Sequence, residues 1–352
     1  MKNMKIKEKI KLFKDVFAPK PGEEVLFLID IPHNDIKDNK KWIDRRQMAN
    51  EWIKTFQDMG EKEGFNVKKI EYKATGVHNS PIPKKIADSV SRYNLVIAMT
   101  QFSASTTLVP LCRKINSNTR CASMPEVDRR MEETAFKADY KKVRKYAIAI
   151  KEMLKNSIGA DVFFSTGDSL YIDFRNRNPE ADTGDCTKPG KFINFPSGEG
   201  CITPYEAVQD EIQEFGESKT KGIMPVNLDG ELVKFQIKNN KIVNVIGCGK
   251  KADEMRNFFN QNYTRRNIAE LGIGCNPNAV ITGNVLEDEK VGLHIAYGMS
   301  SHLGGKIKSD MHQDICYSKG CPVEGRSVTL INKDGSKIEL IKDANLRYDL
   351  LE

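Results

Sequence analysis

The segment EVLFLIDI, Glu24–Ile31, is apolar at almost every position. A strand without polar alternation needs cover on both faces, as in a sheet flanked by helices. A helical pattern follows, with Trp42, Ile43, Met48, Trp52, Phe56 and Met59 near helical spacing and Gly60 or Gly64 able to end it. Residues 65–72 (FNVKKIEY) read as a second strand, 83–93 as a short helix and 95–99 (LVIAM) as a third strand. This alternation predicts an α/β domain built on a largely parallel sheet. The hydroxyl-rich TQFSASTT, 100–107, leaves the carboxyl end of the third strand, where ligands commonly sit in such sheets. The simpler expectation is that its hydroxyls cap the helix predicted at 108–115. A long helical pattern over 136–156 then leads out of the domain.

From Gly159 onward the pattern changes. FFSTGDSLYIDF, NLDGELVKFQIKNNKIVNVIG and SVTLINKDGSKIELIK each place Gly-Asp, Asp-Gly or Asn-Asn between alternating runs, which is hairpin chemistry. One amphipathic helix, 250–263, interrupts them. The fold class expected is therefore α/β plus α+β. An N-terminal α/β domain spans 1–157, and a C-terminal, antiparallel-rich domain spans 158–352 and carries the candidate site, with the break near 156–160.

Composition narrows the functions open to such a chain. With 352 residues, 39% of them hydrophobic, it can bury a substantial core. No run of about 18 apolar residues is present to span a bilayer. The basic start, MKNMKIKEKIKLFKDVFAPK, has lysines interrupting its apolar positions. It reads as a surface amphipathic helix and not as an export signal, and the expected compartment is the cytoplasm. The eight cysteines are scattered and never at C-x-x-C spacing, which suits reduced thiols and disfavours a four-thiolate zinc site. The net charge of +7 comes from 55 basic and 48 acidic residues spread along the chain. Without a basic patch or motif, that balance argues against nucleic-acid binding.

Chemistry concentrates late in the chain. Three of the five histidines, His294, His302 and His312, fall within 19 residues, in VGLHIAYGMSSHLGGKIKSDMHQDICYS. On a strand, His312 and Asp314 face the same way, an imidazole beside a carboxylate. Such a pair suits zinc, manganese or iron, and His294 on a neighbouring strand could complete three protein ligands. The plainer alternative is an ion pair or a satisfied half-buried histidine, and His302, in a turn, could simply be exposed. Two glutamates join the candidates. Glu199 lies in FPSGEG, in a turn after a strand-like stretch, and Glu270 in IAELGIG, at the start of an apolar strand. A buried carboxylate must find a cation or donors, whether a metal or a base such as Arg265 or Arg266. Glu287, Asp288 and Glu289 in LEDEK read as a solvated turn, with Glu289 a candidate for support behind the ligands.

Taken together, NFPSGEGCITP, NIAELGIGCNPNA, EDEKVGLHIAYG and GGKIKSDMHQD resemble, in order and spacing, the metal-site series of the aminopeptidase T and aminopeptidase S family of metallopeptidases. TQFSASTTLVP and RCASMPEVDRRM are similar to segments of close relatives. The resemblance implies a homodimer of two-domain chains and a two-metal site, with the family's glutamates on Glu199 and Glu270, its H-I-A histidine on His294 and its closing pair on His312 and Asp314. One departure is Ser301, which stands where the family has a functional tyrosine, followed by His302. A related branch resembling 2,5-dihydroxypyridine dioxygenase uses a single ferrous ion.

Two enzymatic readings follow. In the first, two divalent ions (Zn, Co, Mn or Mg) on Glu199, Glu270, His294, His312 and Asp314 serve an aminopeptidase acting on a peptide or small-molecule substrate, with a carboxylate not fully committed to metal, or His302, as the proton shuttle. In the second, His294, His312 and Asp314 hold Fe(II) in a ring-cleaving dioxygenase. A non-catalytic descendant of the fold is the third possibility.

Overall fold

The computed structural model describes residues 4–352, which form two compact units. The first takes the described residues through Arg144 together with Asp182–Ser197 and Asn276–Glu287; the second takes Lys145–Ala181, Gly198–Cys275 and Asp288–Glu352. A single cut at residue 157 does not reproduce this division. The change of unit falls inside a helix, and two later segments return to the first unit. The reason is strand pairing: Phe192–Asn194 adds to the N-terminal sheet, so its flanks fold with that sheet.

In the first unit, strands β1 (Glu24–Ile31), β2 (Asn66–Lys73), β3 (Leu95–Ala98), β4 (Arg120–Ser123) and β8 (Phe192–Asn194) form one parallel sheet in the order β2-β1-β3-β4-β8. The expected buried strand is β1, residue for residue, and its six interior positions are all buried. Helices α1 (Ile6–Val16), α2 (Lys40–Glu63), α3 (Lys84–Val90) and α4 (Ser105–Arg113) belong to this unit. The Asn39 side chain caps α2 by accepting from Trp42 N at 3.0 Å, and Gly64 ends it in the left-handed region that glycine tolerates. The basic leader is indeed helical, yet Leu12, Phe13 and Val16 of α1 are buried, with the Phe13 ring 4.9 Å from Trp52 and 4.4 Å from Phe56. The expected capping is not made: α4 follows Ala104 with no side-chain cap, Ser103 Oγ bonds Asn79 Oδ1 at 2.9 Å and Ser105 Oγ at 3.0 Å, and Thr107 Oγ1 accepts from Ile82 N at 3.2 Å.

Helix α5 (Tyr140–Asn156) leads into the second unit, which holds two antiparallel sheets. The larger joins β5 (Ser157–Phe164), β6 (Ser169–Asp173), β10 (Lys221–Leu228), β11 (Glu231–Lys238), β12 (Lys241–Ile246), β16 (Gly325–Asn332), β17 (Lys337–Lys342) and β18 (Asn345–Leu346) in the order β12-β11-β10-β6-β5-β16-β17-β18. Its hairpins turn at the predicted dipeptides: Asp229-Gly230 and Asn239-Asn240 both have positive φ at the two central residues, as a tight hairpin turn requires. The smaller sheet has the order β15-β14-β13-β9-β7, from β7 (Glu180–Asp182), β9 (Glu199–Ile202), β13 (Ile268–Cys275), β14 (Val291–Gly298) and β15 (His312–Cys316). Helices α6 (Gln209–Phe215) and α7 (Lys250–Gln261) complete the unit's longer helices. One hydrophobic core draws Val162, Ile172, Phe235 and Leu330 from the larger sheet and Leu271, Ile273, Leu293 and Ile295 from the smaller. Among the described residues no helix is long and apolar enough to cross a membrane.

Candidate metal centre

The five residues expected as ligands come together on one face of the smaller sheet. Register puts them there. Glu270, Ala296 and Asp314 lie opposite one another across β13, β14 and β15, and residues directly opposite in antiparallel strands share a face. His294 and His312 each lie two residues from a member of that row, and Glu199 pairs with Gly274, four residues from Glu270. The alternate residues, Leu271, Ile273, Leu293 and Ile295, point into the core. Space for imidazoles comes from small neighbours. A Cβ on Gly272, which pairs with His294, would stand 1.9 Å from that ring's Nε2.

The distances describe a cluster with Glu270 at its centre. One oxygen, Oε1, is 3.6 Å from His294 Nε2, and the other, Oε2, is 3.2 Å from His312 Nε2. His312 Nε2 is 3.3 Å from Asp314 Oδ1, and His294 Nε2 is 3.5 Å from Glu199 Oε2. The ligand atoms of Glu270, His312 and Asp314 all lie within 4.8 Å of one another. The His312 ring is fixed from behind, because its Nδ1 bonds the Met299 carbonyl at 2.7 Å and leaves Nε2 facing the carboxylates. Metal-binding histidines are oriented by this kind of second contact.

Electrostatics agree. Among the described residues, Lys290, fully buried, is the lysine or arginine that pairs with any of the carboxylates of Glu199, Glu270, Glu289 and Asp314; it bonds Glu199 Oε1 at 2.9 Å and Glu289 at 2.8 Å. Burial by itself would lower the His294 pKa, yet the hydrogen bond to Glu270 and the charges of Glu199, Glu270 and Asp314 outweigh it and hold it up at about 9. His312 is raised well above its ordinary value because Asp314 and Glu270 overcome the same burial. The two imidazoles in turn hold Glu270 well below the usual carboxylate range despite its burial. Burial pushes Glu289 up to about 8, against the pull of Lys290 and with help from Glu199 and Asp314. Glu199 Oε2 and His294 Nδ1 are buried without a hydrogen-bond partner. A set of carboxylates outnumbering its fixed cations, with orphaned donor atoms and one imidazole, His312, held from behind, fits a divalent cation.

Several expectations need correction. Glu199 is the first residue of β9, not part of a turn. LEDEK is not a solvated turn: Glu287, Asp288 and Lys290 are buried, and Glu287 accepts from Thr134 Oγ1. Neither Arg265 nor Arg266 neutralises the cluster; Arg265 pairs with Asp310, and Arg266 bonds Asn260 and the Ile242 carbonyl. His302 sits outside the ligand group, in the single turn Ser301–Leu303, with its ring 4.7 Å from the His312 ring at 88°. Lys290, Gly272 and Glu206 carry weight that sequence reasoning did not assign. Glu206 could have been noticed by the sign that marked Glu270, an acid between apolar neighbours, here Tyr205 and Ala207.

Comparison with known proteins supports the fold. No family model matches the sequence, and no curated protein matches it. Among solved structures, 2,5-dihydroxypyridine dioxygenase from Pseudomonas putida is similar with a TM-score of 0.70 at 14% identity, covering 97% of this chain and 98% of that one. AmpT, the aminopeptidase T of Thermus thermophilus, is similar with a TM-score of 0.62 at 13% identity and the same coverage. At such identities the likeness establishes a shared two-domain fold, with one parallel and two antiparallel sheets in this chain.

Proposed function

We propose that this protein is a metal-dependent aminopeptidase whose centre is held by Glu199, Glu270, His294, His312 and Asp314. The observation that carries the reading is the position of Glu270, whose two oxygens face two different imidazoles. This divides the cluster into two ligand sets that share Glu270, one with Glu199 and His294 and one with His312 and Asp314. A divalent ion in such a site supplies Lewis acidity and lowers the pKa of coordinated water. The chain's own groups supply the rest. Lys290 holds one oxygen of Glu199 and leaves the other facing His294. Glu289, held near 8, keeps a proton beside the cluster at neutral pH, and His302 lies where an imidazole can pass a proton at the His312 side. In this reading the substrate is a peptide or a small aminoacyl compound, and the chain works as a homodimer.

A second reading has its own support. Glu270, His312 and Asp314 are the one set of three side chains, among the described residues, whose ligand atoms all approach within 4.8 Å. Ser301 stands at the family's tyrosine position. A single ferrous centre of the ring-cleaving type would use that compact half, with Glu270 in the place the sequence reading gave to His294. Elemental analysis of anaerobically purified protein, paired with an aminoacyl-anilide panel, separates the two. Two zinc, cobalt or manganese ions per chain with anilide cleavage support the peptidase; one iron with oxygen consumption on a dihydroxylated ring supports the oxygenase. Full metal content in both the His312→Ala and Asp314→Ala proteins would refute either.

A further inference from the structure

The second unit contains another buried carboxylate with an unusual set of partners. Glu206 is 3% exposed, and four donors converge on it: Ser300 Oγ and Asn267 Nδ2 (3.1 Å) on Oε1, and Lys306 N (2.6 Å) and Arg177 Nη2 (3.2 Å) on Oε2. Two of the four, Ser300 and Lys306, flank the segment that carries His302. That segment is a closed loop. Ser300 N and Ser301 N both bond the Ile307 carbonyl, at 3.0 and 3.1 Å, and Gly305 N bonds the Ser300 carbonyl at 3.1 Å. Gly304 turns with φ +85°, and a Cβ on Gly305 would stand 2.4 Å from Ser300 Oγ. Thr203 Oγ1 donates to the Leu303 carbonyl at 3.2 Å.

The residue before this loop is Met299. Its carbonyl accepts from His312 Nδ1, and its amide bonds the Met311 carbonyl at 2.7 Å. Where Glu206 places Ser300, it therefore also places the acceptor that aims His312. On the far side of the loop, the His302 ring meets the His312 ring edge to face. Asp314, His312 and Glu199 each keep a little side-chain exposure, 15%, 12% and 11%, compared with 7% for Glu270 and 2% for His294.

We propose that Glu206 is a positioning residue: by gathering the 300–307 loop it sets His302 beside His312 and fixes the aim of His312, so that His302 meets the substrate on the His312 side. The substrate part of this proposal rests on the aminopeptidase reading; the positioning part does not. Only a carboxylate satisfies this site, because all four neighbours donate. A glutamine offers one acceptor oxygen and turns an NH2 group towards donors, so Glu206→Gln keeps the size and loses about half of the acceptors.

The test uses the full-length chain and three measurements. In hydrogen–deuterium exchange, Glu206→Gln is expected to speed exchange over residues 300–307 by about tenfold or more, with β16 and β17 within about twofold of wild type. In competition with a chromophoric chelator, the affinity for Zn2+ is expected to fall about 10-fold or more. With an aminoacyl anilide at saturating Zn2+, Glu206→Gln and His302→Ala are each expected to lower kcat about tenfold or more with KM within about threefold, and the double variant to match the single ones. Unchanged exchange in the loop, or kcat effects that multiply in the double variant, overturns the proposal. If wild type cleaves no aminoacyl anilide, the aminopeptidase reading fails, and the exchange and Zn2+ measurements still decide the positioning role. If Glu206→Gln does not fold, Ser300→Ala removes one donor from the loop side; loop exchange and Zn2+ affinity both at wild-type values in that variant overturn the proposal equally.

Discussion

Replacing Gly272 by alanine isolates the geometry on which the candidate centre depends. The added methyl would lie 1.9 Å from Nε2 and 2.2 Å from Cε1 of His294, whereas unstrained contacts between such atoms need about 3.5 Å. The ring must therefore move by about 1.5 Å, several times the ±0.2 Å within which metal–ligand distances are held. His294 is then lost to the metal. Loss of one well-oriented ligand lowers affinity by about 10–100-fold, and overpacking at a buried site costs about 1–3 kcal/mol of stability. The assay is a Zn2+ or Mn2+ titration by calorimetry beside urea unfolding of the metal-free chain. His294→Ala provides the control, since it removes the group that the methyl strikes. In that background Gly272→Ala should cost almost nothing further, so the two effects are strongly non-additive. Wild-type metal affinity in Gly272→Ala, or additive losses in the double variant, would show that the His294 ring does not lie over Gly272.

Three other outcomes follow from the same coordinates. Lys290→Met leaves Glu199 and Glu289 buried without their shared ammonium and should destabilise the metal-free chain by about 3–5 kcal/mol in urea unfolding; a loss under about 1 kcal/mol contradicts the pairing. Because His294 is held up at about 9 in the folded chain and titrates near about 6.5 when unfolded, its stabilising contribution is complete below pH 6.5 and disappears as pH rises through 9. Thermal midpoints of the metal-free protein should therefore fall between pH 6.5 and 9.5, and a flat profile counts against protonated imidazole in the cluster. Cys248 is the exposed thiol, Cys316 and Cys321 are partly covered and the other five are buried. A disulfide reagent should thus titrate about one thiol rapidly in the native protein and eight in denaturant; eight rapid native thiols would mean that the buried ones are not enclosed.

What could be read in the sequence was local. The strand at Glu24–Ile31 was legible because an apolar run between a Pro-Gly and a helical pattern has few other solutions. The hairpins were legible because Asp-Gly and Asn-Asn tolerate the positive φ that a tight turn demands. The likeness of His312 to Asp314 in facing direction needed only the two-residue period of a strand. What was hidden was pairing between distant segments. Phe192–Asn194 is three residues long, and nothing within it announces a parallel partner at Cys121–Ser123, so the division of the chain into units could not be drawn by one cut. Glu199 follows Pro196, Ser197 and Gly198, which suggest a turn, while β9 is buried throughout and lacks the alternation that would have marked it as a strand.

Lys290 makes the same point for the site. A run of three acids and a lysine reads as solvated surface because each charge, taken alone, is cheapest in water. The run is buried because partners far off in sequence meet it: Glu199 at Lys290, 91 residues away, and Thr134 at Glu287, 153 residues away. A buried cation that costs several kcal/mol when unpaired has to be matched by a carboxylate held in place, and Glu199 is matched through one oxygen only. The other oxygen faces His294 with no hydrogen-bond donor of its own. Lys290 therefore does more than neutralise: it fixes which oxygen of Glu199 remains for a metal, in the way that Met299 fixes which nitrogen of His312 remains. The candidate ligands could be named from their types and spacing, but the groups that would choose the ligating atom could not, because their contribution lies entirely in contacts across the sheet.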